Sequence, residues 1–148
     1  MSEEDRVLVT RTIPVARERV FEAWLDPEML RRFMCPAPGV ELGHVAVEPR
    51  EGGAFEIVML VGERELPHRG IYESIQRPER LIFTWESANA PAGSRVTIDF
   101  AQIDAEATEV TLLHENLGSR SSRQDHLGGW THILETLTGI QMEATSHG

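Results

Sequence analysis

The sequence contains no lysine; all 14 of its basic residues are arginine. That absence removes Schiff-base chemistry, a phosphate-loop lysine and any lysine general base in one step. Cysteine is almost as scarce. Cys35 is the only one, so the chain can form no internal disulfide and has no cysteine pair to hold zinc or an iron–sulfur cluster. Lying between Met34 and Pro36, it would need an imidazole from His114 or His126 to become a nucleophile, and it reads as an ordinary loop thiol. No apolar run approaches the ~18 residues of a membrane span. The start, Met1-Ser2-Glu3-Glu4-Asp5, is acidic and unlike a secretory signal, so a reducing cytoplasm is the expected location.

Positive charge is in deficit as well. Against the arginines stand 24 acidic residues, giving a net charge of −10 and a pI near 5.0. Phosphate backbones and anionic lipids would be repelled, so neither nucleic acid nor membrane is an expected partner. The histidines (His44, His68, His114, His126, His132 and His147) are scattered, with no i, i+4 pair and no H-E-x-x-H, so no metal site is expected. No G-x-S-x-G occurs, and the glycine pairs do not open a strand-to-helix nucleotide loop, so no cofactor is expected either.

What is present suits one compact core. The 148 residues are 41% hydrophobic, enough for a single domain over 1–148 without staples; its radius of gyration should be about 15 Å. Val7 to Ile13 alternates like a strand and is stopped by Pro14. Val20, Phe21, Trp24 and Leu25 share one face of a helix between Ala16 and Leu25. Asp26-Pro27 then starts a second short helix carrying Met29, Leu30 and Phe33. Six further strands are predicted: Leu42–Val47, Ala54–Val61, His68–Gln76, Leu81–Ser87, Arg95–Gln102 and Thr108–Glu115. The turn Arg50-Glu51-Gly52-Gly53 has glycines able to supply positive φ.

Short connections make these strands antiparallel neighbours, with Leu81, Phe83, Trp85, Val96, Ile98, Phe100, Val110 and Leu112 on one apolar face. The last segment covers that face. It opens on Ser121-x-x-Gln124, which resembles a capping box, and repeats Leu127, Trp130, Ile133, Leu134, Leu137 and Ile140 at helical spacing. Gly128-Gly129 costs such a helix about 1 kcal/mol per glycine, and predicts a bend or backbone packed close to the sheet. The expected fold is α+β: a curved antiparallel sheet of about seven strands wrapped around a long C-terminal helix, with two short helices between the first two strands. A sheet gripping a helix at an angle leaves a gap that suits an apolar ligand.

Several side chains could act in such a gap. His126 and Trp130, four apart, share a helix face aimed at the sheet, and His126 would orient a ligand or sit near solvent. His114, in phase with Val110 and Leu112, points inward, either as a site residue or as a buried neutral imidazole satisfied by its neighbours. Tyr72, the only tyrosine, would sit among Phe55, Phe83 and Trp85.

Further stretches stand out in order along the chain: Val20-Phe21-Glu22-Ala23-Trp24-Leu25-Asp26-Pro27, Pro49-Arg50-Glu51-Gly52-Gly53-Ala54-Phe55 and Gly70-Ile71-Tyr72-Glu73-Ser74-Ile75. Pro78-Glu79-Arg80-Leu81-Ile82-Phe83-Thr84-Trp85, Thr108-Glu109-Val110-Thr111-Leu112-Leu113-His114-Glu115 and His126 with Gly129-Trp130 follow. On these residues nearly the whole chain resembles the family named for homology to the activator of the heat-shock-protein-90 ATPase, in the START-like (SRPBCC, birch-pollen-allergen-like) helix-grip superfamily. The resemblance implies a cavity between sheet and long helix, since members of the superfamily bind lipids, hormones or polyketides and a few are cyclases. It hands over no catalytic set. The eukaryotic co-chaperone has a further N-terminal domain without counterpart in these residues, so chaperone regulation is not carried over from the family name.

Two departures from the family pattern fall at the expected cavity mouth: Arg32-Phe33-Met34-Cys35-Pro36, where relatives commonly show another Trp, and the doubled Gly128-Gly129. The expected function is binding of a small apolar or amphipathic ligand through Phe55, Tyr72, Phe83, Trp85, Ile98, Leu112, His114, His126, Trp130 and Leu134. Two other classes stand beside it. One is a cyclase- or dehydratase-like enzyme with His114 or His126 as acid–base. The other is an interaction protein, a homodimer or a chaperone-associated protein, using an outer sheet face or the first helix pair.

Overall fold

The computed structural model of the chain describes residues 6–88 and 90–147, with 142–147 as backbone only. The Met1–Asp5 start, Asn89 and the His147 side chain lie outside the described residues. The elements run β1 (Val7–Ile13), α1 (Arg17–Ala23), α2 (Pro27–Phe33), β2 (Glu41–Val47), β3 (Ala54–Val61), β4 (Arg64–Gln76), β5 (Arg80–Thr84), β6 (Arg95–Asp104), β7 (Ala107–Glu115) and α3 (Arg120–His147). The strands form one antiparallel sheet of seven in the order β1-β7-β6-β5-β4-β3-β2. Strands β2 to β7 follow one another as hairpins, and β1 closes onto the free edge of β7.

The short helices sit where their apolar stripes require. Val20 and Phe21 are fully buried, and Phe21 meets Phe100 of β6 edge-on at 5.0 Å. Asp26 caps α2 by accepting from the Glu28 N–H at 2.9 Å, with Pro27 at the first helical position. Leu30 and Phe33 turn inward, and Phe33 packs edge-on against Trp24 at 5.1 Å.

Several expectations need correction. β4 begins at Arg64, not His68, and so runs through Pro67. Its first residues pair with β3, Pro67 opposite Val58, while β5 ends before reaching them, so the missing proline N–H leaves no ladder partner unmet. β5 stops at Thr84 rather than Ser87; beyond it an isolated bridge, Arg69 to Glu86, continues the pairing with β4. Of the two hairpin glycines, Gly52 takes the positive φ of 84°. Gly53 is needed for space, since a Cβ there would lie 2.2 Å from the Glu48 carbonyl oxygen.

The cap of α3 is Ser119, whose Oγ accepts from the Ser122 N–H at 3.0 Å, so Ser121 lies already inside the helix. The helix continues through Gly128-Gly129, and the close approach there is to a loop instead of the sheet: a Cβ on Gly129 would stand 3.2 Å from Pro36 Cβ. Leu127 faces outward at 37% exposure, off the apolar stripe. Among the described residues no helix is long and apolar enough to cross a membrane.

Candidate functional site

Between the first half of α3 and the inner face of β3 and β4 the sheet and helix do not close, leaving a cleft of about 620 Å³. Alternation sets its sheet wall. Met59 of β3 and Leu66 and His68 of β4 point inward in the same phase as Phe55 and Tyr72. The helix contributes Gln124, Asp125, His126, Trp130, His132 and Ile133. Pro36, Ala37 and Pro38, from the loop after α2, form the mouth together with Gly128 and Gly129. The two departures from the family pattern therefore touch each other across the opening.

Trp85 lines this cleft just past the end of β5. Its backbone N–H donates to the Ser94 carbonyl at 3.0 Å, and its indole lies against His68 at 5.0 Å and Trp130 at 5.1 Å. The indole Nε1–H is buried and has no partner among the described residues.

Behind this wall lies a polar chain whose direction chemistry dictates. The Trp130 indole can only donate, and it donates to His114 Nδ1 at 3.0 Å. His114 must therefore carry its proton on Nε2, which donates to Ser94 Oγ at 3.0 Å. The Ser94 hydroxyl passes its own proton to the Trp85 carbonyl oxygen. Burial, and secondarily the neighbouring His126, push the His114 pKa down to about 3, so the ring is neutral. Both ring nitrogens are occupied, and the residue, in β7, ties α3 to the segments just after β5 and just before β6.

His126 stands edge-on to His114 at 4.9 Å, yet differs from it. Its Nδ1 lies 2.7 Å from the Ser122 carbonyl oxygen, one helical turn back. A carbonyl only accepts, so in the neutral ring Nδ1 carries the hydrogen and Nε2 keeps a lone pair. His68 repeats the pattern, with Nδ1 3.0 Å from the Leu66 carbonyl. Burial is the first cause lowering the pKa of each below the usual histidine value, so both are neutral near pH 7.

Of the ten nominated ligand residues, the cleft brings together Trp85, His126 and Trp130. His114 lies directly behind them. Phe55, Tyr72 and Phe83 extend the aromatic cluster from Trp85, with Phe55 6.1 Å and Phe83 6.3 Å from it, without lining the cleft. Burial holds the Tyr72 hydroxyl well above its usual pKa, so it stays protonated. Ile98, Leu112 and Leu134 are fully enclosed in the core. Sequence reasoning missed His68, Leu66, Met59, Asp125 and His132. His68 lay in phase with Tyr72 within the predicted strand, and Leu66 could have been found by extending that alternation backwards through Pro67.

Cys35 lies in the loop after α2, half-buried, and burial followed by Glu41 raises its pKa, as expected of an unactivated thiol. Among the described residues no group of three His, Cys, Asp or Glu side chains could hold a metal ion.

A sheet gripping one long helix, with an apolar cleft left open between them, defines a helix-grip protein. The chain belongs to the family of activator of Hsp90 ATPase homolog 1-like proteins, whose model matches residues 14–141. Among solved structures it is similar to a protein of Nitrosomonas europaea (TM-score 0.81, 21% identity, 99% of each chain covered). It is also similar to the AHSA1-like protein of Aeromonas hydrophila (TM-score 0.79, 22% identity, 95% of this chain and 94% of that one). A third is CalU16 of Micromonospora echinospora (TM-score 0.70, 19% identity, 91% of this chain and 73% of that one). At these identities the likeness is one of fold. No curated protein matches the chain.

Proposed function

We propose that this protein binds a small apolar or amphipathic molecule in the cleft between α3 and strands β3 to β5. The carrying observation is the cleft itself: about 620 Å³, walled by Trp85, Trp130, Met59, Leu66 and Ile133, with a few polar groups converging on it. That volume and that mixture of apolar wall and sparse polar groups are those of small-molecule sites. An enzymatic reading would have to rest on His126 or His68, because both nitrogens of His114 are already engaged within the protein.

The test is native mass spectrometry of the protein purified from its own host, compared with its denatured mass, followed by titration with Nile red. A retained small molecule, or saturable dye uptake at micromolar protein, is the expected result. An empty protein that also leaves Nile red unbound would overturn the proposal.

A further inference from the structure

The fixed charge around the cleft is of one sign. The described residues that line it include one carboxylate, Asp125, and no arginine, although the chain carries 14 arginines. No lysine exists to supply a cation in their place. Asp125 lies on the second turn of α3 and is exposed, so it stands at the rim, while the buried Met59, Trp85, Trp130 and Ile133 form the inner wall. Its charge already acts on the lining: at the neighbouring His126 ring it favours positive charge, against the larger opposing effect of burial. A negative rim over an apolar interior complements a molecule with a positive head and an apolar body.

We infer that the ligand is an amphipathic amine, its ammonium group held at the rim by the Asp125 carboxylate and its apolar body inside the cleft. The inference rests on the cleft being a ligand site, as proposed above. A carboxylate, sulfate or phosphate head would meet Asp125 with like charge and find no arginine in the lining to offset it. A hydroxyl or carboxamide can share a hydrogen bond at the rim, but it carries no charge for the carboxylate to attract. An ammonium is attracted without leaving water, because Asp125 is exposed, so the cost of burying a charge does not arise. The chain's net charge of −10 draws a cation in and turns an anion away.

The test is equilibrium dialysis of the full chain against 2-naphthylmethylamine, 2-naphthylmethanol, 2-naphthylacetamide and 2-naphthylacetate, which share one ring system and differ in the polar group. Near pH ~7.5 the amine is cationic and the acetate anionic. The amine should bind about fivefold more tightly than the alcohol or the amide, with the acetate weakest. Asp125→Asn should remove that preference. Glu109→Gln, which takes the same charge from an exposed position of β7 between the buried Thr108 and Val110, should leave it intact. Alcohol or amide binding as tight as that of the amine would overturn the inference while leaving the cleft a binding site. Tightest binding of the acetate would overturn it too, as would an amine preference that both variants keep or both lose. Binding of none of the four would overturn both readings.

Discussion

The inner surface of the sheet meets α3 in two different ways along the helix. Toward the carboxyl end, Leu134 and Leu137 are buried in the same core as Phe21 and Phe100, and Gln141 Nε2 donates to the Arg19 carbonyl at 3.0 Å, binding α3 to α1. Toward the amino end the same helix stands off β3 and β4, and Trp85 and Trp130 form a wall with space in front of it. The cleft wall is the boundary, and it separates two imidazoles 4.9 Å apart, His126 lining the cleft and His114 behind it. His114 uses both nitrogens inside the protein, whereas His126 uses one. One residue type at one interface thus becomes a structural tie or an available acceptor according to how many of its bonds the protein already consumes.

The largest effect should come from truncating one apolar side chain on each side of that boundary. Leu134→Ala in the sealed half removes a fully buried side chain and should cost about 2–5 kcal/mol in urea unfolding. Leu66→Ala, on the half-buried wall of the cleft, should cost less than about 1 kcal/mol, since the lost surface already faces open space. Equal costs would mean that the two ends are packed alike, and the comparison would fail.

A smaller effect, dependent on pH, separates the two histidines. His114 has a folded pKa of about 3 against an ordinary value of 6.5, so between these values the unfolded chain binds a proton that the native one refuses. Its contribution to stability is complete above 6.5 and is lost as pH falls toward 3. His68 and His126, also lowered, act with the same sign. Urea unfolding at a series of pH values should therefore show a steeper acid loss in the wild type than in His114→Phe. Parallel slopes would mean that His114 takes up a proton as readily folded as unfolded, and so that its Nδ1 lone pair is not held by Trp130.

The fold was legible because its signals are periodic. Val20 and Phe21 mark one helix, which ends at Ala23 with Trp24 as its cap and Leu25 just beyond rather than running to Leu25, and Leu81, Phe83, Val96, Ile98, Val110 and Leu112 mark one face of three strands. Alternation reports the side of a sheet on which a residue lies and says nothing of what fills the space beyond it. Ile98, Leu112 and Leu134 were thus nominated with Trp85 and Trp130, although only the last two reach the cleft. Leu66 was hidden for another reason, whereas His68 already lay in phase with Tyr72 in the predicted strand. Pro67 reads as a strand breaker, yet it lies where β4 has a partner on one side only, and the strand passes through it to place Leu66 and His68 in the cleft wall. The His114 chain was half legible: phase put the ring inside, but Ser94, 20 residues away in sequence, is brought to it by the pairing of β6 with β7.

The smallest expected effect probes the mouth of the open end, where the doubled glycine meets the loop after α2. A Cβ at Gly128 would touch nothing within 4 Å, so Gly128→Ala should raise stability by about 1 kcal/mol through helix propensity alone. At Gly129 the added Cβ would stand 3.2 Å from Pro36 Cβ, closer than ordinary contact, and the loop must give way before the same gain is realised. Gly129→Ala should therefore gain about half as much or less in thermal unfolding. It should also change uptake of an apolar probe, because Pro36 forms part of the cleft's mouth. A Gly129→Ala gain equal to that of Gly128→Ala would mean that Pro36 yields freely, making the opening a hinge instead of a fixed wall.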